Sequence, residues 1–393
     1  MSAPATIAVV LGTRPEAIKL APVVREIARR SQLAPLVVST GQHREMLEQA
    51  LRLFDLRPDV DLDLMRPGQT LHDVTSDALL GLRTVLRQSA PRYVVVQGDT
   101  TTALAAALAA FYEKIPVAHV EAGLRSGQRY APFPEEMNRR LVDQLSSLLF
   151  APTEMARTFL LREGFSAAST LVTGNTVVDA LHVARDHVRR APPIIAGLSE
   201  GALDGKKTIL VTAHRRESFG EAFAAMCRAL RRIVDESPDA SIVYPVHLNP
   251  NVDGPVRALL GGHERIHLLK PVTYLEFVAL MDRSWVVLTD SGGVQEEAPT
   301  FGKPVLVLRD VTERPDGIEA GVARLVGTSE TGIVSGTLSL LRDPAAYAAM
   351  ARPVNPYGDG HASERIVDAL ARALDLATPS RRMASQATGW GTA

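Results

Sequence analysis

A chain of 393 residues, at about 150 residues per domain, predicts two or three domains. Its 43 basic and 44 acidic side chains leave a formal net charge of -1, which excludes the electrostatic footprint of a nucleic-acid binder. Hydrophobic residues at 46% and charged residues at 22% exclude a largely disordered chain.

In chain order, TIAVVLG precedes EAIKLAPVVREIARR, PLVVSTG follows, YVVVQGD precedes TTALAAALAAFYEK, and PVAHVEAG completes the series. Short β-rich runs alternating with helical patterns predict parallel strands joined by right-handed crossovers, a doubly wound α/β sheet. From about residue 182 to 207 the text becomes HVARDHVRRAPPIIAGLSEGALDGKK, with charge, paired prolines and glycines and no sustained apolar period. A domain boundary is expected there. A second alternation, TILVTAH, EAFAAMCRALRRIVDE, SIVYPVH, RIHLLKPV, SWVVLTD and KPVLVLRD, predicts a second open parallel sheet. The final PSRRMASQATGWGTA, small and polar, is expected to be a disordered tail.

The single cysteine, Cys227, excludes an internal disulfide framework and a cysteine-only metal site, and fits a reducing compartment. No apolar run approaches the roughly 18 residues of a membrane span, and the start of the chain lacks the basic stretch and apolar core of a signal peptide. A cytoplasmic protein without membrane association is the expectation. Two open α/β sheets bind ligands beyond the carboxyl ends of their strands, with the cleft between domains as the default site. The segments just after strands therefore carry the functional argument.

After the first strand, GTRPEAIKLAP supplies Gly12 for a tight turn, Pro15 for the first helical position, and the cations Arg14 and Lys19 near a helix N-terminus, an anion site. It lacks the GxGxxG fingerprint, so NAD and other dinucleotide cofactors are not expected. The next such strand ends at Gly98 and Asp99, where Asp99 alone reads as a helix cap as readily as a catalyst. HVEAG then places Glu121 at the equivalent position, and PFPEEMNRRL puts Glu135 and Glu136 in a first helical turn, where acids are favoured whatever their function. Three acidic positions converging at strand ends point to a catalytic cleft.

In the second half, TAHRRES offers His214 as an acid or phosphate donor, with a purely structural histidine as the competing reading. VVLTDSGGVQEEAPTFGKP ends a strand at Asp290 and opens a helix with Ser291, Gly292 and Gly293. Glycines let backbone N–H groups approach a diphosphate, and the following Glu296 and Glu297 lie where a carboxylate can hold ribose hydroxyls. Arg314, in TERP, is a further phosphate candidate. His263, Glu264 and His267 spell H-E-x-x-H, but the segment reads as a glycine-led strand, on which the two histidines stand too far apart for tetrahedral zinc.

GTRPEAIKLAP, TGQHREML, GDTTTALAAALAAFYEKIPVAHVEAGLRSG, PFPEEMNRRL, TGNTVVDAL, TAHRRES, DSGGVQEEAPTFGKPVLVLRDVTERP and NPYGDGHAS, in this order over residues 6–372, together resemble the bacterial non-hydrolysing UDP-N-acetylglucosamine 2-epimerases. The resemblance implies two Rossmann-like domains of the GT-B type with the active site in the interdomain cleft. Residues 1–188 would form the first domain, joined by a C-terminal crossover helix at about 359–376, residues 189–358 the UDP-binding domain, and 377–393 the tail. It further implies interconversion of UDP-GlcNAc and UDP-ManNAc by a homodimer, without metal or cofactor. Asp99, Glu121, Glu135 and His214 match the catalytic positions, and Arg14, Lys19, Ser291, Gly292, Gly293, Glu297 and Arg314 match those that hold the nucleotide. Gln42, Gln69, Glu135, Arg215 and His247 match the site at which many members bind a second UDP-GlcNAc as activator. Three positions depart from the family's common pattern: Glu45 replaces glutamine, Gly68 replaces arginine, and Ser218 replaces the asparagine after HRRE.

Carbon 2 of the sugar has no neighbouring carbonyl, so its proton must first be made removable. Expelling UDP from carbon 1 does this without an oxidant, and calls for a held diphosphate, cations and flanking carboxylates. A GT-B glycosyltransferase, a sugar-nucleotide sensor, a hydrolysing epimerase and an epimerase of a UDP-diacetamido-uronic acid are the alternative readings.

Overall fold

The computed structural model describes residues 3–41, 50–66, 68–213 and 220–376. The chain divides into two compact units, one built from residues up to Ala180 and from Gly358 onward, the other from Leu181–Tyr357.

In the first unit β1 (Ala5–Leu11), β2 (Leu33–Ser39), β3 (Val60–Asp61), β4 (Tyr93–Gln97), β5 (Val117–Val120), β6 (Leu148–Ala151) and β7 (Thr170–Val172) form one sheet in the order β3-β2-β1-β4-β5-β6-β7. Every pairing is parallel. Strands covered on both faces read as continuous apolar runs, and Ile7, Ala8, Val9 and Val10 are buried accordingly. On one face, helices Leu71–Ser89, Thr101–Tyr112 and Glu135–Leu145 lie side by side. The middle helix is alanine-rich because both neighbours and the sheet press on it: Ala103, Ala106, Ala107, Ala109 and Ala110 all join the core there. The C-terminal helix Ala362–Ala373 packs against helix Arg14–Arg29, and Arg30 reaches Asp368 at 2.9 Å.

The second unit repeats the plan with β8 (Lys207–Thr212), β9 (Ala240–Pro245), β10 (Ile266–Leu269), β11 (Val286–Thr289), β12 (Val305–Val307) and β13 (Ala323–Leu325), ordered β10-β9-β8-β11-β12-β13 and parallel throughout. Ile209 and Val211 face one helical layer, and Leu210 faces the other. Each sheet therefore has a switch point where the strand order reverses, beside β1 and β4 in one unit and beside β8 and β11 in the other. In open α/β sheets the carboxyl ends of such strands are where ligands bind. The two units are doubly wound Rossmann-like domains.

Two differences from the sequence reading have physical causes. Helix Thr176–Arg190 continues through the charged text from residue 182 onward, because Leu181, Ala184 and Val188 keep one buried stripe while the residues between them, Val183 apart, are polar. Strands β3, β7 and β13 lie at sheet edges and span only two or three residues, too few to show a period. Among the described residues, no helix is long and apolar enough to cross a membrane.

Candidate functional site

The turn after β1 is organised by a buried carboxylate. Thr13 caps helix Arg14–Arg29, and Glu16 closes the capping box, its Oε2 accepting from the Gly12 N–H at 3.0 Å, the Thr13 N–H at 2.7 Å and the Thr13 hydroxyl at 2.8 Å. Its Oε1 accepts from the Thr100 hydroxyl at 2.6 Å, so the turn after β1 is tied to the turn after β4. Burial pushes the Glu16 carboxyl above its ordinary pKa, against the pull of these four donors. Gly12 is needed for space rather than for a left-handed turn: a Cβ there would lie 2.4 Å from Thr40 Oγ1 and 2.6 Å from Thr102 Oγ1. Arg14 opens the helix, exposed, with Pro15 in its second position rather than its first.

The capping alternative for Asp99 falls away, because Thr100 caps the following helix through the Ala103 N–H at 3.0 Å. Asp99 instead faces Arg139, whose Nε lies 3.1 Å from Oδ2 and whose terminal nitrogen also reaches that oxygen. Asn138 Nδ2 donates to the Asp99 carbonyl at 2.9 Å. Glu121 stands just past β5 with φ +67°, a left-handed conformation uncommon for a side chain of this size. Its Oε2 receives Lys19 Nζ at 2.5 Å and Gln97 Nε2 at 2.7 Å. Lys19, matched from sequence to nucleotide binding, is thus in contact with a catalytic candidate. Glu135 is the first residue of helix Glu135–Leu145, and its Oε2 is buried with no hydrogen-bond partner among the described residues. The same helix carries Asn138 and Arg139, so Glu135 and the groups that hold Asp99 share one rigid element.

In the second unit Thr289 Oγ1 accepts the Ser291 N–H at 2.9 Å and meets Thr212 Oγ1 at 2.6 Å, fixing the turn between β11 and the short helix Gly292–Glu297. The Ser291 hydroxyl makes no capping bond to that helix. Arg314 Nε lies 2.6 Å from Glu296 Oε1, which sets the guanidinium carbon 3.6 Å from where a Cβ on Gly292 would stand. Arg314 is held from behind as well, since its carbonyl accepts the Tyr357 hydroxyl at 3.2 Å. Beside it, burial would raise the Glu313 carboxyl, but Arg314 and Arg309 outweigh it and bring the pKa down to about 2. Glu297 is buried on the same helix.

Gln42, His214 and Arg215 lie outside the described residues. Gln69 is engaged at both ends of its amide, accepting the Arg66 N–H at 2.8 Å and donating to Leu64 O at 2.9 Å and Asp77 Oδ2 at 3.0 Å. His247 is exposed, and its Nδ1 accepts the Asn249 N–H at 3.1 Å. In the H-E-x-x-H segment His263 precedes β10 and faces Asp235 at 3.2 Å, while His267 lies within the strand, so the helical premise of that motif is absent. Sequence reading missed Gln97, Asn138 and Arg139. The spacing of Glu135, Asn138 and Arg139 at i, i+3 and i+4 was the available signal.

A family model described as UDP-N-acetylglucosamine 2-epimerase matches residues 25–371. A UDP-N-acetylglucosamine 2-epimerase from Yersinia pestis is 53% identical over 364 residues, covering 92% of this chain and 97% of that protein. The crystal structure of UDP-GlcNAc 2-epimerase from Neisseria meningitidis bound to UDP-GlcNAc is 46% identical, with TM-score 0.85 over 93% of this chain and 100% of that one. The enzyme from Methanocaldococcus jannaschii in complex with UDP-GlcNAc and UDP is 34% identical, with TM-score 0.76 over 93% of this chain and 99% of that one. With a family match over most of its length and relatives at about half identity, this chain belongs to the UDP-N-acetylglucosamine 2-epimerase family.

Proposed function

We propose that the protein interconverts UDP-GlcNAc and UDP-ManNAc by eliminating UDP and adding it back. A carboxylate removes the proton from carbon 2 as the bond from carbon 1 to the diphosphate oxygen breaks. The electron pair of the C–H bond becomes the C1–C2 double bond of 2-acetamidoglucal, and UDP leaves with the glycosidic oxygen. Protonation of carbon 2 from the opposite face and return of UDP to carbon 1 complete the exchange. Atoms balance without an oxidant, hydride acceptor or water.

Asp99, Glu121 and Glu135 share the proton removal and return in this reading. Arg14, Ser291, Gly292, Gly293 and Arg314 meet the diphosphate, Glu297 the ribose hydroxyls, and His214 donates to the departing phosphate. Lys19 spans both tasks, since a cation that pairs with Glu121 also neutralises a nearby phosphate. A second UDP-GlcNAc at Gln42, Gln69, Arg215 and His247 would activate the enzyme, and a homodimer is the expected assembly.

The observation that carries the proposal is the fixing of two carboxylates by cations at the ends of adjacent strands, Asp99 by Arg139 and Glu121 by Lys19. Neither has a structural task such as capping to account for it. The test is positional isotope exchange in UDP-GlcNAc labelled with oxygen-18 in the anomeric bridge. Migration of the label into the non-bridging β-phosphate positions is the expected result, whereas a label that stays in the bridge while UDP-ManNAc forms rules the elimination out.

A further inference from the structure

His119 lies on β5, two residues before Glu121, and is fully buried. Its Nε2 is 2.8 Å from the Gly98 carbonyl oxygen, and its Nδ1 is 2.7 Å from Asp143 Oδ1. A carbonyl oxygen only accepts, so Nε2 carries a hydrogen. Nδ1 and Asp143 Oδ1 share a hydrogen, so both ring nitrogens are engaged. The other oxygen of Asp143 accepts from Arg125 at 2.7 Å, and Arg125 also reaches Glu163 at 2.7 Å. Burial works against the Arg125 charge, but Glu163 and Asp143 raise its pKa above the ordinary value, so the guanidinium remains a donor. Asp143 thus meets His119 through one oxygen and Arg125 through the other.

We infer that His119 is a positioning residue whose Nε2–H fixes the Gly98 carbonyl and thereby the turn that presents Asp99. Gly98 has φ +70°, and Asp99 follows it directly. Helix Glu135–Leu145 holds this turn at three points: Asn138 on the Asp99 carbonyl, Arg139 on its carboxylate, and Asp143 through His119 on Gly98. Asp143 and Arg139 are separated by one helical turn, so they project from the same side. His119 touches no reacting atom. Its link to catalysis rests on the function proposed above, but its hydrogen bond to Gly98 does not.

The experiment uses full-length protein with nitrogen-15 in its histidines, examined by NMR for ring N–H groups that exchange slowly with solvent. One of the ten histidines is expected to show an Nε2–H protected from solvent exchange, and its signal to be absent from the His119→Gln spectrum. A wild-type spectrum with no protected histidine Nε2–H overturns the inference without any variant. The kinetic arm compares two amides. Glutamine can place its N–H near the former Nε2, whereas asparagine is too short to reach Gly98. For His119→Asn, kcat is expected to fall roughly 100-fold with KM for UDP-GlcNAc within about 3-fold, and His119→Gln to recover at least about 10-fold of that loss. Equal impairment of the two variants, or an asparagine variant with wild-type kcat, overturns the positioning role. A wild-type protein inert toward UDP-GlcNAc would remove the proposed function and leave the NMR result standing.

Discussion

The two units share a topology but use charge differently. In the first, buried or half-buried Glu16, Lys19, Gln97, Asp99, Glu121, Asn138 and Arg139 form contacts across the ends of three strands and two helices. In the second, the turn after β11 offers glycine backbone, and Arg314, from the segment after β12, stands beside it, held by Glu296 of helix Gly292–Glu297. A fold-level repeat thus carries proton-transfer candidates in one copy and anion-binding candidates in the other. The difference arises at the residues just past each strand, which the sheet positions but does not specify.

Substitutions can separate the two roles. The largest expected effect is from Asp99→Asn, which removes a proposed proton-transfer group and weakens its bond to Arg139. Carbon-2 exchange should fall by about 10³-fold or more while UDP affinity, measured calorimetrically, changes only a few fold. Unchanged turnover would end the assignment of Asp99. Arg314→Met should do the reverse in kind: it removes the cation beside Gly292, and the UDP dissociation constant is expected to rise roughly 10- to 100-fold. It also leaves buried Glu296 without its cation, so the melting temperature should drop as well.

Gly12→Ala is expected to act on stability. The added methyl would stand 2.4 Å from Thr40 Oγ1 and 2.6 Å from Thr102 Oγ1, and overpacking of this kind costs about 1–3 kcal/mol. Denaturant unfolding of the variant measures it. The smallest effect concerns Asp359, whose pairing with Arg365 at 2.6 Å holds its carboxyl down to about 2 from 3.8. A lowered carboxylate pKa stabilises the folded state above 3.8, and that contribution fades as pH falls toward 2. The difference in urea midpoint between wild type and Arg365→Met should therefore be constant from pH 6 to about 4 and shrink below it. Both side chains are about half exposed, which keeps the difference small.

Legibility in the sequence followed burial. Helix Glu221–Glu236 was readable end to end because its apolar stripe faces one core and its ends carry charge. Helix Thr176–Arg190 was not, since a stripe as narrow as Leu181, Ala184 and Val188 is hidden by the histidines and arginines between. The strand-end motifs placed Asp99, Glu121 and Ser291 because a parallel sheet displays whatever follows each strand. Gln97 and His119 escaped for the opposite reason: they lie inside runs that read as buried strand, and their meaning depends on β4 and β5 being neighbours. Arg139 and Asp143 needed the same knowledge, since a polar helical face looks like a solvated one until a strand end is found against it.

The central claim is tested most directly by proton NMR of UDP-GlcNAc with the pure protein in deuterated water. The account predicts UDP-ManNAc with deuterium at carbon 2, and deuterium entering the remaining UDP-GlcNAc at the same position. UDP-ManNAc that retains its original hydrogen would contradict it.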